Sequence, residues 1–215
     1  AIQIIRNKKG KVKKVEFSSD PTYNYTNFFQ FAELIKSKIR KEIERSNINE
    51  YDLVGHSMGG LDIIAATVLD SGMDNDSEVR DFIKTKPLEG VGLLITVATP
   101  YKGSFLADLM KHTKIDEIIS PEWTDGIRKQ CENMAFDSEF IKIINQPVIR
   151  KRLLKNARIA VHTFSGGDDR AVNPKYAIME DAENHKPFYL VSHSQRMGIT
   201  QDPRLHFELF KLLRG

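Results

Sequence analysis

The chain has 215 residues, 40% of them hydrophobic, enough for one substantial core in a single domain over residues 1–215. Its 32 basic and 29 acidic residues leave a net charge of only +3, without the aromatic-interleaved basic tracts that bind single-stranded nucleic acid, so no nucleic-acid partner is expected. Cys131 is the only cysteine, which excludes an internal disulfide; with no apolar run of membrane-spanning length and no signal-peptide pattern, a cytoplasmic setting is favoured.

Residues 1–6 read as a strand, 7–10 as a turn and 12–17 as a second strand, with Val15 and Phe17 alternating against Lys14 and Glu16. The cluster Lys8, Lys9, Lys11, Lys13 and Lys14 reads as a solvated hairpin tip, with peripheral contact to an anionic membrane surface as the alternative. Residues 20–27 form a loop and 28–44 a helix. Phe28, Phe31, Ala32, Ile35, Ile39 and Ile43 share the apolar face of that helix, and Lys36, Lys38, Arg40 and Lys41 face water.

The short apolar run Tyr51-Asp52-Leu53-Val54 leads into Gly55-His56-Ser57-Met58-Gly59, and a helix follows over about 58–69. A G-x-S-x-G sequence between a strand and a helix is the pattern of a nucleophile elbow, in which the serine hydroxyl is exposed on a sharp turn. The next backbone N–H, that of Met58, then points at a developing oxyanion. The apolar stretch Ile63-Ile64-Ala65-Ala66 predicts burial of the helix beneath a central strand.

Residues 74–77 open a polar helix or loop, and 91–98 are the continuous apolar strand of a parallel sheet. The loop Thr99-Pro100-Tyr101-Lys102-Gly103-Ser104 leaves the carboxyl end of that strand, with Tyr101 a candidate substrate contact and Ser104 the N-cap of the next helix. From about 105 to 156 the pattern is helical without a strand. An insertion of that length between sheet strands predicts a cap over the carboxyl edge. Ile115, Ile118, Ile119, Trp123, Ile127, Phe136, Phe140 and Ile144 pack it to the body or line an acyl groove, with Trp123 the candidate for facing substrate. Cys131 shares a helical face with Ile127 and Met134 and reads as a small core hydrophobe.

A nucleophilic serine needs a base, and the base needs an orienting acid. Residues 157–164 read as a strand that breaks at Ser165-Gly166-Gly167-Asp168-Asp169-Arg170-Ala171-Val172, and 187–191 as a strand that ends at Ser192-His193-Ser194. Acid and histidine thus each follow a strand, where a parallel sheet gathers its functional loops. Among the six histidines, His185 precedes the last strand, His162 lies within a strand and His206 within the final helix. His112 falls in the cap and His56 beside the serine, which leaves His193 as the base. Asp168 and Asp169 are both candidates for the acid. No paired-histidine spacing and no phosphate-cradling loop occurs, so neither a metal site nor a cofactor is expected.

The stretches GHSMGGLD, LLITVATPYKGS, AFDSEFIKIIN, FSGGDDRAVNP and SHSQRMGITQDP resemble the α/β-hydrolase superfamily of serine lipases and esterases. The resemblance is to its lipase-like branch, which includes the inositol deacylases of glycosylphosphatidylinositol anchors, and it runs from Tyr51 nearly to the last residue. It implies a mainly parallel sheet with helices on both faces and a Ser-Asp-His order of functional residues. In that family the acid stands three residues before a valine, which implies Asp169 rather than Asp168. The family also carries a His-Gly-type turn upstream of the elbow that supplies a second oxyanion N–H; no such pair precedes Gly55 here, so either N-terminal strands are missing from the chain, the favoured expectation, or the oxyanion hole is built differently.

The function implied is a serine hydrolase cleaving a carboxylic ester, a lipid or another acyl ester, through Ser57, His193 and Asp169. The alternatives are a serine acyltransferase and a noncatalytic member of the fold that binds a lipid or a partner protein.

Overall fold

Short apolar runs and amphipathic segments alternate along the chain and form one sheet flanked by helices in the computed structural model. It describes residues 2–5, 15–17, 28–70, 83, 85–113, 131–158, 160–193 and 198–214. The strands are β1 (Ile2–Ile5), β2 (Val15–Phe17), β3 (Tyr51–His56), β4 (Val91–Val97), β5 (Ala160–Phe164) and β6 (Glu183–Asn184), in the spatial order β2-β1-β3-β4-β5-β6. Strands β3 to β6 are parallel, with Val54 opposite Ile95 and Thr96 opposite Thr163. Strand β1 runs antiparallel to both β2 and β3, with Ile2 opposite Phe17 on one side and Gly55 on the other.

The helices are α1 (Phe28–Ser46), α2 (Met58–Val68), α3 (Phe105–His112), α4 (Glu139–Ile144), α5 (Pro147–Asn156) and α6 (Pro203–Arg214). Two apolar clusters separate the layers. Phe28, Ile35, Ile64, Leu94, Phe140 and Leu153 belong to one, which joins α1, α2, α4 and α5 to the sheet. Val54, Ile95, Val97, Phe164 and Leu205 belong to the other, beneath α6. Helices therefore cover both faces, and β3 and β4 are buried along nearly their whole length, as expected of central strands in a parallel sheet.

Lys36 is not wet: it is fully buried on α1, where its ammonium donates to the carbonyl oxygens of Leu69 (3.2 Å) and Thr85 (3.0 Å) and pairs with Glu33 at 2.9 Å. A buried cation persists when its donors are satisfied in this way, and burial pulls the Lys36 pKa below its ordinary value.

The second half of the stretch expected as a cap is part of the body. Phe140 on α4 is fully buried and stacks on Phe28 of α1 with ring centroids 4.4 Å apart. Helix α5 packs on α2, where Arg152 donates to the Val68 carbonyl and Asn156 to the Thr67 carbonyl, satisfying the open C-terminal end of α2.

Residues 187–191 do not form a regular strand. The last sheet strand is the two-residue β6, and Phe188 makes only an isolated parallel bridge to Gly166. Beyond it the chain turns, with Leu190 in the left-handed region at φ 57° and Tyr189 73% exposed. Apolar composition alone does not distinguish such a turn from a strand.

Ser104 caps α3 as expected, accepting from the Ala107 N–H, and its hydroxyl also donates to the Ala171 carbonyl at 2.8 Å. Cys131 is buried. The lysine cluster at 8–14, the polar segment at 74–77, and Ile115, Ile118, Ile119, Trp123 and Ile127 lie outside the described residues. No described helix is long and apolar enough to cross a membrane.

Candidate active site

Ser57 sits between β3 and α2 at φ 54°, ψ −128°, a backbone conformation that side-chain-bearing residues rarely adopt. The turn is held on two sides by β4 and its following loop. The Ser57 N–H donates to the Val97 carbonyl at 2.8 Å, and Thr99 Oγ1 donates to the Ser57 carbonyl at 3.1 Å. The glycines permit this closeness: a Cβ at Gly55 would lie 2.6 Å from the Gly59 carbonyl oxygen, and one at Gly60 would lie 1.9 Å from Thr99 Oγ1.

Asp169 follows β5 and is buried. Its Oδ1 accepts from the N–H groups of Ala171 (3.0 Å) and Val172 (2.7 Å), an Asx-type turn that sets the carboxylate direction. Its Oδ2 lies 2.8 Å from His193 Nδ1. Because the ionised carboxylate can only accept, Nδ1 carries the hydrogen and Nε2 is left with its lone pair. Ser57 Oγ lies 2.8 Å from that Nε2 and donates to it. The three side chains, from three separate loops at the carboxyl edge of the sheet, form one hydrogen-bonded chain.

The acid and histidine segments are stitched together by main-chain bonds. Gly167 N–H donates to Phe188 O at 2.8 Å, and Asp168 N–H to Val191 O at 3.0 Å. The Asp168 side chain is exposed, while Asp169 points inward to the imidazole. Three other histidine rings are engaged elsewhere: His162 with His185 at 3.1 Å, and His206 with the Thr200 carbonyl at 2.8 Å.

Met58 is the first residue of α2, where helical N–H groups have no intrahelical partner, and among the described residues no acceptor takes its N–H. On the flank of β3 away from β4 the neighbouring strand is β1. Its antiparallel course brings its N-terminal end, and not a loop leaving a strand's carboxyl end, beside the elbow. Among the described residues no group of three His, Cys, Asp or Glu side chains is placed to hold a metal ion.

Of the two substrate contacts expected, Trp123 lies outside the described residues. Tyr101 is only 1% exposed and its hydroxyl is hydrogen-bonded to Thr96 inside the core, so it packs beneath the site and does not face a substrate. Burial pushes its phenol pKa well up. Sequence reasoning passed over two residues of the site. Thr99 becomes visible only when Gly60 brings the helix against it, a contact that leaves no local pattern. His56 reads in the sequence only as a neighbour of the serine, yet its ring lies against His193 with centroids 5.0 Å apart.

No protein-family model and no curated protein sequence matches the chain. Among solved structures it is similar to the lipase BlEst2 of Bacillus licheniformis in mature form, with a TM-score of 0.57, 18% identity, and coverage of 87% of this chain and 74% of that one. Against the propeptide form of that lipase the TM-score is 0.60, with 19% identity over 87% of this chain and 40% of the other. Similarity extends to the phospholipase PlaB of Legionella pneumophila, with a TM-score of 0.58, 16% identity, and coverage of 93% of this chain and 50% of that one. The parallel sheet with helices on both faces, the elbow between β3 and α2 and these structural likenesses agree: the chain has the α/β-hydrolase fold.

Proposed function

We propose that the protein is a serine hydrolase that cleaves a carboxylic ester, with Ser57 as nucleophile, His193 as general base and then acid, and Asp169 as the group that orients and stabilises the imidazole. The observation that carries this reading is the unbroken chain of hydrogen bonds from Ser57 Oγ through His193 to Asp169, at 2.8 Å in both links.

In this reading His193 Nε2 takes the serine proton as Oγ attacks the ester carbonyl. Asp169 remains ionised and stabilises the imidazolium, and the Met58 N–H stabilises the oxyanion of the tetrahedral intermediate. Collapse of that intermediate transfers the proton to the departing alcohol and leaves an acyl group on Ser57. Water, deprotonated by the same histidine, then releases the acid.

A lipid or other acyl ester is the substrate class that the structural neighbours support, since they include a lipase and a phospholipase. The narrower likeness to inositol deacylases rests on the sequence motifs alone. One observation favours a second reading, a noncatalytic member of the fold: no parallel strand ends beside the elbow on the β1 flank to offer a second oxyanion donor among the described residues.

A fluorophosphonate probe separates the two, because only an activated serine is phosphonylated. The hydrolase reading predicts labelling of the wild-type protein and none of Ser57→Ala. A folded wild-type protein that does not label is the outcome expected of the noncatalytic reading.

A further inference from the structure

His56 ends β3, immediately before Ser57, and its side chain reaches across to the histidine loop. Its Nε2 lies 3.3 Å from the main-chain carbonyl oxygen of His193, 137 residues further along the chain. A carbonyl can only accept, so Nε2 carries the hydrogen and donates. The two imidazoles pack with their planes tilted by 37° and their centroids 5.0 Å apart. His193 is thereby held at both ends. Asp169 and Ser57 bond its ring, and His56 bonds its own main-chain carbonyl.

We infer that His56 is a positioning residue, which acts through the main chain of His193 to keep that imidazole in line with Ser57. The inference rests on the reading of Ser57 and His193 as nucleophile and base. Among the described residues, main-chain bonds hold Val191 to Asp168 and Ser192 to Ile199, and the bond from His56 is made to the main chain of His193 itself.

A small displacement of the base has large consequences, since proton transfer requires the reacting atoms within about 3 Å of each other. The state of His56 suits the role. Burial, together with the neighbouring His193, pushes its pKa down to about 4. At neutral pH it is an uncharged donor that does not oppose the positive charge His193 acquires during reaction.

The test compares His56→Leu, which keeps an apolar volume and removes the donor, with His56→Gln, whose amide N–H extends to nearly the same point as Nε2. Hydrolysis of a short chromogenic ester is measured for both against the wild type, with unfolding by urea as the check on folding. His56→Leu is expected to lower kcat about tenfold with KM within about twofold of wild type, the scale of one hydrogen bond expressed in the transition state. His56→Gln is expected to recover most of that loss.

Equal loss in both variants would assign His56 to packing and overturn the inference, as would wild-type kcat in folded His56→Leu. Failure of the parent reading is distinct, because the wild-type protein would then neither turn over the ester nor label with a fluorophosphonate. If both variants unfold, 15N NMR of the wild-type histidine side chains decides: an Nε2–H tautomer at His56 supports the bond to the His193 carbonyl, and an Nδ1–H tautomer overturns it.

Discussion

Gly60 and Thr99 meet so closely that a single methyl group would not fit between them: a Cβ at Gly60 would lie 1.9 Å from Thr99 Oγ1 and 2.8 Å from Thr99 Cβ. Because the same Oγ1 donates to the Ser57 carbonyl, this contact links the first turn of α2 to the backbone of the strained serine. Gly60→Ala is expected to push α2 away from the β4 loop. Overpacking of this kind costs about 1–3 kcal/mol, and urea unfolding of the variant should show a lower midpoint with an unchanged slope. An unchanged midpoint would mean that α2 can shift freely, and that the elbow geometry is not held by this contact.

The stacking of Phe140 on Phe28 makes a second expectation quantitative. Phe140 also meets Phe29 edge-on, with centroids 5.6 Å apart, so its ring is enclosed by α1. Phe140→Ala should destabilise the whole domain by about 3–5 kcal/mol, as seen in chemical unfolding monitored by far-UV circular dichroism. A mobile lid would respond otherwise, with substrate affinity altered and global stability nearly unchanged.

Burial of His56 makes stability depend on pH. Its folded pKa is lowered to about 4 from an ordinary 6.5, so between those values the unfolded chain binds a proton that the folded chain refuses. The contribution is therefore fully present above about pH 6.5 and is lost progressively as the pH falls toward about 4. Between about pH 7 and about pH 5 the loss is about 2 kcal/mol for this one group. His56→Gln should lose correspondingly less over the same interval, a difference that urea unfolding of the two proteins at each pH measures directly. Equal losses would show that His56 is more accessible to water than the structure places it.

Asp169 and Asp168 are adjacent in sequence and opposite in setting. Asp169 is buried with two main-chain N–H groups and the His193 ring on its oxygens, and Asp168 faces solvent. Asp169→Asn should lower ester turnover by about 10³-fold or more, because the amide no longer stabilises the imidazolium and favours the wrong tautomer. Asp168→Asn should stay within about twofold of wild type, the range expected of a surface substitution. Greater damage at Asp168 would reverse the assignment of the acid.

How much of this was legible in the chain depends on whether the signal was local. The elbow was, because a strand, a glycine-flanked serine and an apolar helix are contiguous over residues 51–68. Ser104 as a helix cap was legible for the same reason. His193 follows only by elimination among histidines, and Asp169 over Asp168 only through the spacing in a resembling family. The burial of Lys36 leaves no such signal, because its neighbours on α1 predict a wet face while two of its three partners are carbonyls from the separate segments that hold Leu69 and Thr85. The inward turn of Tyr101 to Thr96 is hidden for another reason: a loop at a carboxyl edge does not reveal which way a side chain turns. The partner that Phe140 packs on, Phe28 over a hundred residues away in α1, is likewise invisible to any window along the sequence.

The most direct test of the central claim is turnover of a short chromogenic ester by wild type, Ser57→Ala, His193→Ala and the double variant, each first shown to be folded. Because Ser57 and His193 share one proton across 2.8 Å, each single substitution should abolish most of the activity, and the double variant should lose little more than either. Full activity in folded Ser57→Ala, or losses that simply multiply in the double variant, would contradict the reading of these residues as one catalytic unit.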